Sequence, residues 1–150
     1  MVGAARTKQG HKSSTSFLIV DAQSVKNSDS AREKGYDAGK KVSGIKRHIA
    51  VDTQGMPHAI AVTTADVTDR KGALQALGRC AADLQAVQSV LADGGYVGQP
   101  FAQAVEELLG AEVQIAKRSE LHTFAVMPQR WVVERSFAWI EKCHRLWKNC

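Results

Sequence analysis

The sequence predicts an α/β fold built on a mixed sheet, with three antiparallel strands first and helices and strands in alternation after them. Three observations carry this reading. Short apolar runs recur along the chain: SFLIV at Ser16–Val20, SVLA at Ser89–Ala92 and EVQIA at Glu112–Ala116. Stretches rich in Ala and Leu with helical spacing lie between and after them. Two strand-like segments flank Thr53-Gln54-Gly55, which is the pattern of a β-hairpin.

Residues 1–16 are polar and basic and lack the apolar stretch of a signal peptide. They read as a flexible basic segment ahead of one domain over residues 17–150. The strand Ser16–Val20 ends at Asp21. From Gln23 to Lys46 the chain is polar, holds Gly35, Gly39 and Gly44, and has no period, so it is expected to be a long mobile loop. Arg47–Asp52 and Pro57–Thr64 supply the hairpin strands. Asp69–Leu84 reads as an amphipathic helix through Leu74, Leu77, Ala81 and Leu84. Ser89–Ala92 is a second buried strand, ending at Asp93 before Gly94-Gly95. Phe101–Leu109 is a helix opened near Pro100 and stopped by Gly110. Glu112–Ala116 is a further strand. Beyond Pro128, Gln129–Asn149 has the stripe Val133, Phe137, Ile140 and Trp147 of a long helix. Strand, hairpin, helix, strand, helix, strand, helix is the element order of the RNase H-like fold.

A chain of 150 residues, 44% hydrophobic, suits one domain with a real core. No run approaches the roughly 20 apolar residues needed to span a bilayer, so no membrane partner and a cytoplasmic location are expected. Cys80, Cys143 and Cys150 form an odd set without a Cys-x-x-Cys pair, which argues against a disulfide framework and a structural zinc site. Cys80 and Cys143 are expected to pack as small hydrophobes. The net charge of +5 is unevenly spread. Residues 1–50 hold ten Lys and Arg against four Asp and Glu, whereas residues 51–150 hold ten against eleven. Such concentration suits a surface that faces phosphates, although a solvated basic arm would have the same charge.

Asp21 and Asp93 each follow an apolar strand directly, and ligand sites of open α/β sheets lie beyond the carboxyl ends of strands. Glu134 falls on the polar face of the last helix, with Arg130, Glu141, Arg145 and Lys148. If the two strands are neighbours and the helix crosses their ends, the three carboxylates converge. Hard oxygen ligands in an open site suit magnesium or manganese. A two-metal clamp, its ions roughly 3.5–4 Å apart, activates a nucleophile and stabilises the leaving oxygen of a phosphodiester. Singly, each residue has a plainer reading. An aspartate after a strand often caps a turn, and Glu134 can pair with Arg130 for only about 0.3–0.5 kcal/mol.

The segments DAQSVK from Asp21, GIKRHIAVDT from Gly44, ADGGY from Ala92 and RWVVERSFAW from Arg130 resemble transposases of bacterial insertion sequences of the IS-five type. The likeness runs in order over Phe17–Cys150. It implies cleavage at the ends of the element and strand transfer into target DNA by a DDE triad, which carries over to Asp21, Asp93 and Glu134, with two Mg2+ or Mn2+ ions. Arg130 fits the arginine of the family's helix signature. The family's tyrosine is Met127 here, and its lysine falls at Glu141, with Lys142 next. Arg130, Arg135, Lys142 and Arg145, with Lys40, Lys41, Lys46 and Arg47 from the loop, are the candidate DNA contacts, mostly to phosphates. Trp131 is a candidate for stacking on a flipped base, and Trp139 falls on the apolar stripe. The resemblance also implies double-stranded DNA as partner and a dimer on DNA. Family members carry an N-terminal DNA-binding region, often from an upstream reading frame, and continue past the final helix; this chain is expected to lack both. The alternatives are a catalytically silent DNA-binding remnant and a related nuclease or resolvase that cuts without joining.

Overall fold

The computed structural model describes residues 2–10, 12–27, 33–116 and 138. Helix α1 spans Val2–Lys8, and strands β1 (Phe17–Lys26), β2 (Gly35–Asp37), β3 (Val42–Val51) and β4 (Pro57–Thr64) follow. Helix α2 (Asp69–Arg79), strand β5 (Ser89–Ala92), helix α3 (Gln99–Leu109) and strand β6 (Glu112–Ile115) complete the described elements. The sheet order is β2-β3-β1-β5-β6, with β4 also paired to β3. β1 to β4 pair antiparallel, while β1–β5 and β5–β6 are parallel. This is the predicted mixed sheet.

Side-chain alternation splits the interior in two. Leu18 and Val20 of β1, Ala50 of β3 and Val90 and Ala92 of β5 pack with Ala73, Ala76 and Leu77 of α2 and Phe101, Val105 and Leu109 of α3. On the other face Ile19, Ile49, Val51 and Leu91 form a separate buried cluster. Burial on both faces is why these strands read as continuous apolar runs. Helix α2 begins where the Thr68 side chain caps it by accepting from the Lys71 amide at 3.3 Å. Its contact with the sheet is close: a Cβ on Gly72 would lie 2.0 Å from His48 Nε2.

Two expectations are overturned. The segment Gln23–Lys46 is not one long loop: β1 runs on to Lys26, β2 intervenes and β3 starts at Val42. Pairing across the sheet supplies the order that local composition withheld, with Ser24 opposite Lys46 and Val25 opposite Ile45. Gly44, part of the loop-like signal, instead marks a close backbone approach, because a Cβ there would lie 2.0 Å from the Val25 carbonyl oxygen. The N-terminal segment, expected to be flexible, forms α1 and is tied down by Arg6, which pairs with the fully buried Asp52 and donates to the Lys12 carbonyl at 2.9 Å. The predicted helix Asp69–Leu84 divides into α2 and a 3-10 turn at Ala81–Leu84. The predicted helix Gln129–Asn149 and the loop before it lie outside the described residues, apart from position 138, which is helical.

Candidate active site

The parallel register between β1 and β5 fixes the site. Leu18 pairs with Val90 and Ile19 with Leu91, so Asp21 and Asp93 each lie two residues beyond the last paired position. Asp93 keeps an extended backbone, with φ −80° and ψ 178°. Adjacent strands run about 4.8 Å apart, so the two carboxylates stand side by side at the same level of the sheet. Asp21 accepts the Ala22 amide at 2.7 Å on Oδ1, and Asp93 accepts the Gly95 amide at 2.9 Å on Oδ1.

Burial pushes the Asp21 carboxyl up to about 6, and the charges of Asp93 and Asp69 push the same way, while the Ala22 amide and Lys40 act against them. A site that resists its own ionisation in this way is one a cation would relieve. Two hard carboxylates at a strand edge suit a divalent ion such as Mg2+ or Mn2+. Among the described residues no group of three or more His, Cys, Asp or Glu converges to hold a metal. Asp21 and Asp93 therefore fit as part of a ligand set. Glu134, the predicted third member, lies outside the described residues.

Beside this pair runs a polar network that sequence reasoning missed. Lys46 Nζ bridges Asp37 Oδ2 at 2.9 Å and Asp69 Oδ1 at 2.8 Å, and the Ser24 hydroxyl donates to Asp37 at 2.7 Å. Burial raises Asp37, but Ser24, Lys46 and the Lys40 amide more than offset it and hold that carboxyl well below the usual range. For Lys46, burial favours the neutral form, yet Asp69 and Asp37 win and its pKa rises. Lys40 Nζ donates to the Ala22 carbonyl at 2.9 Å and lies 3.6 Å from Asp69 Oδ2. Asp69, at the start of α2, gave no signal beyond that of an acidic first-turn residue. Tyr96, three residues after Asp93, is 1% exposed and within electrostatic reach of Asp21, Asp69 and Asp93. The adjacent His48 is fully buried, and burial, with the charges of Lys46 and Lys40, holds its imidazole down to about 4 although Asp69 acts the other way.

The candidate DNA contacts separate. Lys40 and Lys41 lie in the exposed turn between β2 and β3. Lys46 and Arg47 do not belong to a loop: they are central positions of β3, 4% and 5% exposed. Lys46 is committed to two carboxylates, and neither side chain lies on the surface where a phosphate would meet it. Arg130, Arg135, Lys142 and Arg145, and also Trp131 and Trp139, lie outside the described residues. Cys80 is half-buried against the core, as its apolar setting predicted. No described helix is long and apolar enough to cross a membrane.

Residues 12–150 match the family model described as the transposase DDE domain. Over 110 residues the chain is 36% identical to a Burkholderia cepacia protein described as a candidate transposase for insertion sequence element IS402, covering 69% of this chain and 52% of that protein. The chain thus spans about half the length of that relative. A chain in the simian T-cell lymphotropic virus intasome, solved in complex with PP2A regulatory subunit B56 gamma, shares 16% identity at a TM-score of 0.57, covering 86% of this chain and 39% of that one. The catalytic core domain of BIV integrase shares 10% identity at a TM-score of 0.52, covering 85% of this chain and 67% of its own. At such identities these two structures speak to the fold alone, and they bear out the RNase H-like sheet expected from the element order.

Proposed function

The chain belongs to the transposase DDE domain family, and on that premise we propose that it cuts DNA at the ends of an insertion sequence and joins the freed 3′ ends to target DNA. One observation carries this reading: Asp21 within β1 and Asp93 just after β5 stand at one level, each two residues beyond the last pair of these neighbouring parallel strands, and burial and acidic neighbours oppose the ionisation of Asp21.

In the proposed reaction Asp21, Asp93 and Glu134 would hold Mg2+ or Mn2+, two ions in all. When bound, the ions supply activation of the attacking oxygen and charge stabilisation of the leaving one. The chain's own residues do the rest. Asp21 Oδ1 accepts from the Ala22 amide and Asp93 Oδ1 from the Gly95 amide, so one oxygen of each carboxylate is tied to the backbone before any ligand arrives. Lys40 and Lys41, in the exposed turn, contact backbone phosphates and position the strand without reading its bases. The Lys46 bridge ties β2, β3 and the start of α2 together and holds that turn beside Asp21. A dimer on paired DNA ends and a separate end-recognition region complete the proposal, as does action on the chromosome in the cytoplasm.

The test is Mn2+-dependent nicking and strand transfer on a labelled duplex that carries the element's own terminal repeat. Wild type should cut and join, and Asp93→Asn should do neither while still binding DNA. Cutting that never gives joined product would replace the transposase with a simple nuclease. Activity that survives in Asp93→Asn would remove the triad.

A further inference from the structure

Tyr96 is spent on nothing in the proposed reaction, yet it is placed with care. It closes the 3-10 turn Gly94–Tyr96, its amide donating to the Asp93 carbonyl at 3.1 Å. Its ring packs against Phe101 of α3, with centroids 5.2 Å apart and planes tilted by 54°. Its hydroxyl is buried and has no hydrogen-bond partner among the described residues. A buried phenol without a partner destabilises a fold relative to phenylalanine, which packs the same ring without the polar atom. Three carboxylates, Asp21, Asp69 and Asp93, lie within electrostatic reach of that hydroxyl, and when ionised they only accept hydrogen bonds. Burial and these three charges raise the phenol far above its ordinary range, so it is a donor throughout the neutral region.

We infer that Tyr96 is a positioning residue of the acidic centre: its ring anchors the turn bearing Asp93, and its hydroxyl donates the hydrogen bond that orients a carboxylate when Asp21 and Asp93 close on a divalent cation. This rests on the metal-dependent reading proposed above. Groups that orient ligating carboxylates typically contribute about 10–100-fold to metal affinity. The donor has a cost in the metal-free protein and a use in the metal-bound one.

The experiment compares wild type, Tyr96→Phe and Asp93→Asn as full chains, by thermal melting in EDTA and by calorimetric titration with Mn2+ alone. Tyr96→Phe is expected to melt at or above wild type in EDTA and to bind Mn2+ about 10-fold more weakly. Asp93→Asn is expected to lose binding. A Tyr96→Phe affinity within about twofold of wild type overturns the inference while leaving the metal centre intact. Melting of Tyr96→Phe well below wild type in EDTA also overturns it, since the hydroxyl would then be structural. If wild type takes up no Mn2+, the metal centre fails and this inference with it.

Discussion

Replacing Gly72 by alanine sets two expectations of opposite sign against each other. Within a helix, glycine to alanine should stabilise by roughly 0.8–1.0 kcal/mol. The structure says otherwise. The new Cβ would lie 2.0, 2.1 and 2.4 Å from three atoms of the His48 ring. That ring cannot step aside freely, because it is fully buried and its Nε2 lies 2.9 Å from the Thr63 hydroxyl. Overpacking of this kind costs roughly 1–3 kcal/mol, and displacing the ring from Thr63 costs about 1 kcal/mol more. The two outweigh the propensity gain, leaving a loss of about 2 kcal/mol, or roughly 4–8 °C in Tm for a domain of this size. Urea unfolding of Gly72→Ala, His48→Ala and the double variant measures it. The double variant should be less destabilised than the sum of the singles, by about 1 kcal/mol or more. A Gly72→Ala protein as stable as wild type, or more so, would refute the close packing of α2 on β3.

Three further outcomes follow from named contacts. Asp21→Asn should stabilise the protein in EDTA by about 1–3 kcal/mol, since a carboxyl raised to about 6, chiefly by burial, resists its charge at neutral pH; unchanged or lower stability in urea would count against an unfavourably buried charge there. Asp52 is fully buried, and although burial alone would raise it, His58, the Met56 and Gln54 amides and Arg6 hold it down to about 2. The unfolded chain therefore takes up the proton first, so the roughly 2 kcal/mol this group contributes is present above about pH 4 and is lost as pH falls through about 2; Asp52→Asn should flatten that acid limb in a pH series of melts. Lys46→Met should cost about 3–5 kcal/mol by stranding Asp37 and Asp69, whereas Lys41→Ala should leave stability alone and reduce the salt slope of DNA binding by about 1. The reverse pattern in binding titrations would restore Lys46 as a phosphate contact.

The fold was legible in the sequence wherever one element's residues declared their own burial. β4 and β5 match their predicted bounds because turn residues bracket them, and α3 is marked by Pro100 and Gly110. The stretch from Gln23 to Lys46 was not legible, because its order comes from partners elsewhere in the chain. A lysine at position 46 looks like a solvated charge until Asp37 and Asp69 are brought to it by β2 and α2. The same holds for Arg6, whose partner Asp52 lies at the far end of β3. The expectation that the first strand ends at Asp21 fails, since β1 runs on to Lys26, yet Asp21 and Asp93 are neighbours because a parallel register turns equal distances along two strands into neighbourhood in space. Asp69 and Tyr96 gave no comparable signal. One reads as a helix-start residue and the other as an aromatic core residue, and only packing brings Asp69 within electrostatic reach of Asp21 and Tyr96 within that of Asp21, Asp69 and Asp93.

The sheet's second face ties folding to the proposed chemistry. Ile19, Ile49, Val51 and Leu91 are buried there in a cluster that contains no residue of α2 or α3. Asp21 pairs with Ile49 across β1 and β3, and alternation along β1 puts its side chain on this same face. Each large apolar side chain buried contributes about 1.5–3 kcal/mol, enough for four of them to hold an unfavourably buried carboxylate in place.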